Sequence, residues 1–133
     1  MQKFLHLFWK MAENKTNTKS VGNAGEQEAF LYLKKQGYDI IERNWRTNAG
    51  EIDIICTKAD VLVFVEVKNL PHATPDMLSK VLGEQKRNHI LKTAKRFLLN
   101  HRQYSNNYVR FDVIVLGMQG LPSVYHIENA FSE

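Results

Sequence analysis

Asp53, Glu66 and Lys68 stand on two neighbouring β-like runs, 50–56 (GEIDIIC) and 61–68 (VLVFVEVK). Charges have little reason to lie inside apolar strands unless they are paired or hold a metal ion. Alternation of polar and apolar residues would suit a one-sided sheet, but the second run is apolar throughout to Val65, the pattern of a strand covered on both faces. Its charges arrive together at its end, where sites form at the rim of α/β sheets. Two carboxylates and a lysine are the groups that metal-assisted phosphodiester hydrolysis needs. Asp53 and Glu66 are hard oxygen donors that suit Mg2+ or Mn2+ and leave positions for water and phosphate. The Val67 carbonyl is a further oxygen on the same strand. Lys68, two residues after Glu66 and on its face, can orient an attacking water or stabilise a phosphorane-like transition state, while the ion lowers the pKa of that water. On spacing alone, a surface hairpin carrying a structural Glu66–Lys68 pair is the plain alternative.

The elements that must position these groups are readable. Residues 25–36 form a predicted helix ended by Gly37. At 100° per residue, Ala29, Phe30 and Leu33 make one apolar arc that also contains Glu26, whereas Glu28 points away. An acid on a core-facing stripe needs a partner; its alternative role is to complement the helix dipole from the first turn. A strand over 38–45 and a polar turn over 46–50 lead into the two motif strands. If Lys58 and Ala59 form the connection between them, Glu51 opposes Glu66, Asp53 lies diagonal to Glu66, and all share a face with Lys68. Like charges packed so closely repel unless a cation joins them. Pro71 and Pro75 bracket a loop. A basic helix follows, with Ile90, Ala94 and Phe97 on its stripe and a break or start near Gly83. Extended back in phase, that stripe has Lys86 at its edge, whereas Lys92 and Arg96 point away. Strands over 108–116 and 123–127 complete the order α-β-β-β-α-β-β, an α/β fold with a mixed sheet flanked by helices.

Composition narrows the function classes. The 133 residues fit one domain over 21–133, preceded by a polar, flexible lead-in within 1–20, with Met11 as an alternative start. The single cysteine, Cys56, excludes an internal disulfide and a Cys-rich zinc site, and reads as a small buried hydrophobe. No apolar stretch approaches the roughly 18 residues of a membrane span, and the run from Phe4 to Met11 is too short and interrupted for a signal peptide. We therefore expect a cytoplasmic protein without a membrane partner. Between Ser79 and Arg102 lie seven Lys or Arg against one acid, Glu84. Positive charge gathered in one segment is the footprint of a polyanion partner, or else a solvated helix face. The five histidines show no ligand spacing. Asp112, beside Arg110, is expected to pair with an arginine, and Trp45 and Phe111 to pack in the core.

Taken together, Gly25-Glu26, Gly37-Tyr38, 43–46 (RNWR), 50–53 (GEID), 64–68 (FVEVK) and 110–113 (RFDV) resemble the YraN family of bacterial proteins. The resemblance spans about Gly22 to Leu116. That family is similar to the PD-(D/E)xK endonucleases, nearest to archaeal Holliday junction resolvases. The likeness implies a restriction-endonuclease-like core, with Glu26, Asp53 and Glu66 as metal-site acids, Lys68 as the catalytic lysine, and a role in DNA recombination or repair. Ile52 replaces the proline of the superfamily motif. Asn69-Leu70 stands where the family shows a small hydroxyl residue and then a basic one, which removes a phosphate contact. The expected protein is thus an Mg2+- or Mn2+-dependent DNA endonuclease, with branched DNA among its candidate substrates. Asp53, Glu66 and Lys68 would be catalytic, and Lys86, Arg87, Lys92 and Arg46 would contact the nucleic acid. A homodimer would suit symmetric junction cleavage. The alternatives are a non-catalytic nucleic-acid-binding module on the same fold, or an assembly protein with a relic pocket.

Overall fold

β-branched runs separated by Gly, Pro and Asp-containing breaks become the strands, and two stretches with helical apolar period cover them. The computed structural model describes residues 19–80 and 82–132, so most of the expected lead-in, with Met11, lies outside the described residues. The elements are α1 (Lys19–Lys35), β1 (Asp39–Thr47), β2 (Gly50–Lys58), β3 (Val61–Asn69), α2 (Glu84–Asn100), β4 (Tyr108–Leu116) and β5 (Val124–Phe131). Short 3-10 turns at Pro75–Lys80 and Arg102–Tyr104 flank α2. The order is the expected one, and α1 begins six residues before the predicted Gly25.

Helix α1 stops for a local reason. Gly37 adopts φ 93°, Tyr38 N–H donates to the Leu33 carbonyl and Gly37 N–H to that of Lys34, each at 3.0 Å. This is the Schellman arrangement, in which glycine relieves the steric cost of the left-handed turn. Buried Tyr38 and Leu33 add the apolar contact that accompanies it.

The five strands lie in the order β1-β2-β3-β4-β5. β3 and β4 are parallel and α2 is carried in the connection between them, whereas the other neighbours are antiparallel. Parallel strands need such a crossover. On one face Ala29 and Leu33 of α1 pack on Ile54, Cys56, Val63, Val65 and Ile114. On the other, Ile90, Ala94 and Phe97 of α2 pack on Ile55, Leu62, Phe64 and Phe111. With both faces covered, Leu62 to Lys68 of β3 is buried continuously.

The β2–β3 hairpin departs from expectation. Lys58 pairs with Val61, so the loop is Ala59-Asp60, with Ala59 at φ 54°. Register moves by two residues, an even step that does not by itself exchange the two faces. The ladder ends at the Ile54–Val65 pair, and beyond it the Asp53 carboxylate itself meets the Val67 N–H.

Candidate metal centre and its polar surroundings

Asp53 lies on β2 between Ile52 and Ile54, both paired in one register with β1. Across from it, between the Arg43–Ile54 and Trp45–Ile52 pairs, Asn44 takes a left-handed conformation with φ 52°. Ile52 then joins Ile55 on the α2 side although the two are three residues apart, a break in strict alternation. Here the Val67 N–H donates to Asp53 Oδ2 at 2.8 Å. That bond sets the Asp53 carboxylate against the middle of the Glu66-Val67-Lys68 tripeptide.

Glu66 and Lys68 alternate with Val65 and Val67 and so share the α2 face with Leu62 and Phe64. Lys68 Nζ lies 3.3 Å from Glu66 Oε1. The same oxygen is 3.7 Å from Lys86 Nζ, which comes from the first turn of α2. Asp53, Glu66 and Lys68 are 6%, 5% and 4% exposed, levels at which ionised groups must be compensated. The turn between β1 and β2 is pressed against the same helix. A Cβ at Gly50 would stand 3.0 Å from Thr93 Oγ1, and the residue's φ is 152°, so glycine is required there.

Glu26 is buried, 9% exposed, on the helix that covers the opposite face of the sheet. Among the described residues, no three Asp, Glu, His or Cys side chains gather into a ready cation-holding group. The structure thus brings Asp53, Glu66, Lys68 and Lys86 together, with Glu26 buried on α1. Asp53 and Glu66 fit a hard divalent ion by donor type, and Lys68 and Lys86 both approach the same Glu66 oxygen.

The other expected nucleic-acid contacts are dispersed. Arg87 and Lys92 are exposed on α2, five residues and therefore about 140° apart. Arg46 is exposed and lies 3.4 Å from Glu51. Leu70, where the family pattern places a basic residue, is fully buried and its N–H donates to the Leu116 carbonyl. That phosphate contact is absent by construction of the core. Trp45 packs edge-on against Phe97 and Phe111 stacks on Phe64, as core residues.

A second polar cluster occupies the α1 face. Asp112, 0% exposed, accepts from Arg110 Nε at 2.8 Å and Nη2 at 2.9 Å. His126 Nε2 lies 2.7 Å from its Oδ2, and Asn129 N–H donates to its Oδ1 at 3.0 Å. An ionised carboxylate only accepts, so Nε2 carries a proton; in the neutral ring Nδ1 then accepts from the Tyr32 hydroxyl 3.2 Å away. Arg110 also donates to the Tyr38 hydroxyl at 2.7 Å. Burial pushes the Asp112 pKa up, but the bonds from His126, Arg110 and Asn129 outweigh it and hold the group below the ordinary carboxylate value. The carboxylate in turn raises Arg110, and burial raises both tyrosines. The arginine partner was legible from the Arg-x-Asp spacing. The tyrosines and His126 come from distant elements and carried no local signal.

Comparison with known proteins adds a relationship without an activity. The model of "Uncharacterised protein family UPF0102" matches residues 25–116. A UPF0102 protein of Treponema denticola is 38% identical over 125 residues, covering 86% of this chain and 96% of its own. One from Treponema pallidum (strain Nichols) is 40% identical over 121 residues, covering 88% and 96%. One from Clostridium botulinum (strain 657 / Type Ba4) is 39% identical over 116 residues, covering 85% and 94%.

Proposed function

The chain belongs to the uncharacterised protein family UPF0102, and we propose that it is a divalent-metal-dependent DNA endonuclease of the PD-(D/E)xK type that acts on branched or otherwise structured DNA. The observation that carries this reading is the convergence of Asp53, Glu66 and Lys68, almost wholly buried, on two adjacent strands. Such a group is costly to maintain for fold alone, because a well-packed apolar set of the same volume is as stable or more so.

In this reading Asp53 and Glu66 hold Mg2+ or Mn2+, with Glu26 contributing from α1. When bound, the ion supplies a water of lowered pKa and neutralises phosphate oxygens. The chain's own groups do the rest. The Val67 N–H fixes one Asp53 oxygen and so orients the other. Lys68, held at Glu66, presents a fixed positive charge that favours a phosphodiester gaining negative charge under attack. Lys86, Arg87, Lys92 and Arg46 bind the sugar-phosphate backbone. The restriction-endonuclease-like arrangement, with two copies cutting symmetric strands, is part of the same proposal.

The lysine pairing of Glu66, with no ready three-ligand group among the described residues, supports a second reading, a non-catalytic nucleic-acid-binding module. One experiment separates the two: Mg2+- and Mn2+-dependent cleavage of linear, flapped and four-way DNAs, with Asp53→Asn purified in parallel. Cleavage by the native chain alone supports the nuclease. Salt-sensitive binding by both, with cleavage by neither, supports the binding module.

A further inference from the structure

The two lysines on Glu66 are not equivalent. Both approach Oε1, Lys68 at 3.3 Å and Lys86 at 3.7 Å, but their side chains are 5% and 25% exposed. Lys68 is rooted in a central strand, two residues from its partner, and is enclosed. Lys86 stands in the first turn of α2, just after Gly83, on a long stem with solvent beside it. An ammonium on a flexible four-carbon stem is a mobile point charge, unlike a planar guanidinium locked by two bonds.

We infer that Lys86 is an exchangeable tether that occupies Glu66 in the metal-free protein and passes to the DNA phosphate when a divalent cation takes that carboxylate. This deepens the metal-dependent nuclease reading and rests on it. The electrostatics run in one direction. With Lys68 fixed, Glu66 is shared by two ammonium groups, so a cation of charge two repels both and displaces the one that can leave. Leaving costs Glu66 little, because the incoming cation replaces the lost charge and Lys86, a quarter exposed, moves towards solvent. The freed ammonium remains within reach of the same spot, where a phosphate bound to the cation would lie. Lys86 is accordingly a positioning residue that couples metal loading to substrate binding.

The test is a Mn2+ titration of the DNA-free full chain, followed by the electron paramagnetic resonance of free Mn2+, for the native protein, Lys86→Met, Lys86→Arg and Asp53→Asn. A thermal melt checks that each is folded. Removing the competing charge tightens Mn2+ binding in Lys86→Met by about three- to tenfold, Lys86→Arg returns it towards native, and Asp53→Asn weakens it. The same Lys86→Met protein binds DNA less well in Ca2+, with a salt slope shallower by about one. Mn2+ affinity that is unchanged or weaker in Lys86→Met, while the native chain binds the ion, overturns the tether alone. No Mn2+ binding by either chain overturns the metal reading and the tether with it.

Discussion

The sheet carries one buried polar cluster on each face, back to back. β4 runs beside β3 in a register that pairs Val65 with Asp112 and Glu66 with Val113, so the two acids are one residue apart in level and point to opposite helices. Asp112 is saturated: two bonds from Arg110, one from His126 and one from Asn129, all between 2.7 and 3.0 Å. The Asn129 N–H is delivered by an irregularity of β5, where register shifts and the residue adopts φ 52°. Among its contacts with the described residues, Glu66 meets the ammonium groups of Lys68 at 3.3 Å and Lys86 at 3.7 Å. Short, bidentate, charge-assisted bonds from a planar donor are strong and specific in geometry; long contacts from lysines are easily exchanged. The Asp112 cluster therefore fastens α1, through Tyr32, and Tyr38 just before β1 to β4 and β5. The Glu66 cluster holds charge in a form that can be traded.

The sharpest way to break this comparison is to remove one acid from each cluster. Asp112→Asn leaves Arg110 and His126 around a neutral amide and is expected to destabilise the fold by about 3–5 kcal/mol, as when one partner is removed from a buried pair. Asp53→Asn keeps an oxygen for the Val67 N–H and the same side-chain size, so its stability change is expected to be the smaller, about 1 kcal/mol. Cleavage, once detected, falls by about a hundredfold or more in Asp53→Asn. Urea melts and single-turnover cleavage on both variants check it. Equal stability losses would show that the two clusters do the same job.

Acid titration sharpens the same contrast. The folded pKa of Asp112 lies below its unfolded value, because the bonds from His126, Arg110 and Asn129 outweigh burial. Its stabilisation is therefore fully present above the unfolded carboxylate pKa of about 3.9 and is lost as pH falls through the lower folded value. Stability of the native chain should drop steeply below about pH 4, with Asp112→Asn much flatter over that window. Circular dichroism melts between neutral and acid pH measure this. A native curve as flat as the variant's would mean that Asp112 is not the acid-sensitive fastening.

What the sequence disclosed and what it hid follow from the range of the interactions. Strand β4 was legible to the residue, since its apolar run and flanking polar residues are local. The end of α1 was legible through Gly37, and the start of α2 through Gly83. The early start of α1 was not, because Lys19 to Asn23 has no apolar period to mark a helix. The Ala59-Asp60 loop was missed because alanine rarely takes the positive φ it has here. Because the slip is even, Glu66 and Lys68 stay on the α2 face, whereas the break in alternation between Ile52 and Ile55 carried no local signal. Lys86 was legible because it lies one turn before Ile90 on the Ile90–Phe97 stripe. The Asp53–Val67 bond was hidden, since it depends on register and on the conformation of Asn44 across the hairpin.

The smallest expected effect comes from the residue that shares the α1 face with the Asp112 cluster without belonging to it. Cys56 is fully buried among Ile54, Val63 and Val65, and burial, aided by the charge on Asp112, pushes its thiol up to about 12. At neutral pH it is a small hydrophobe with almost no thiolate, so a thiol reagent should label the unfolded chain and leave the folded one intact. Cys56→Ala removes one buried atom and is expected to cost about 1 kcal/mol, leaving both the cleavage rate and the acid midpoint in place. Because labelling then reports only on opening, Asp112→Asn should become reactive long before Asp53→Asn does. If both variants label at the native rate, opening is not controlled by the Asp112 fastening, and the division of labour between the two faces fails.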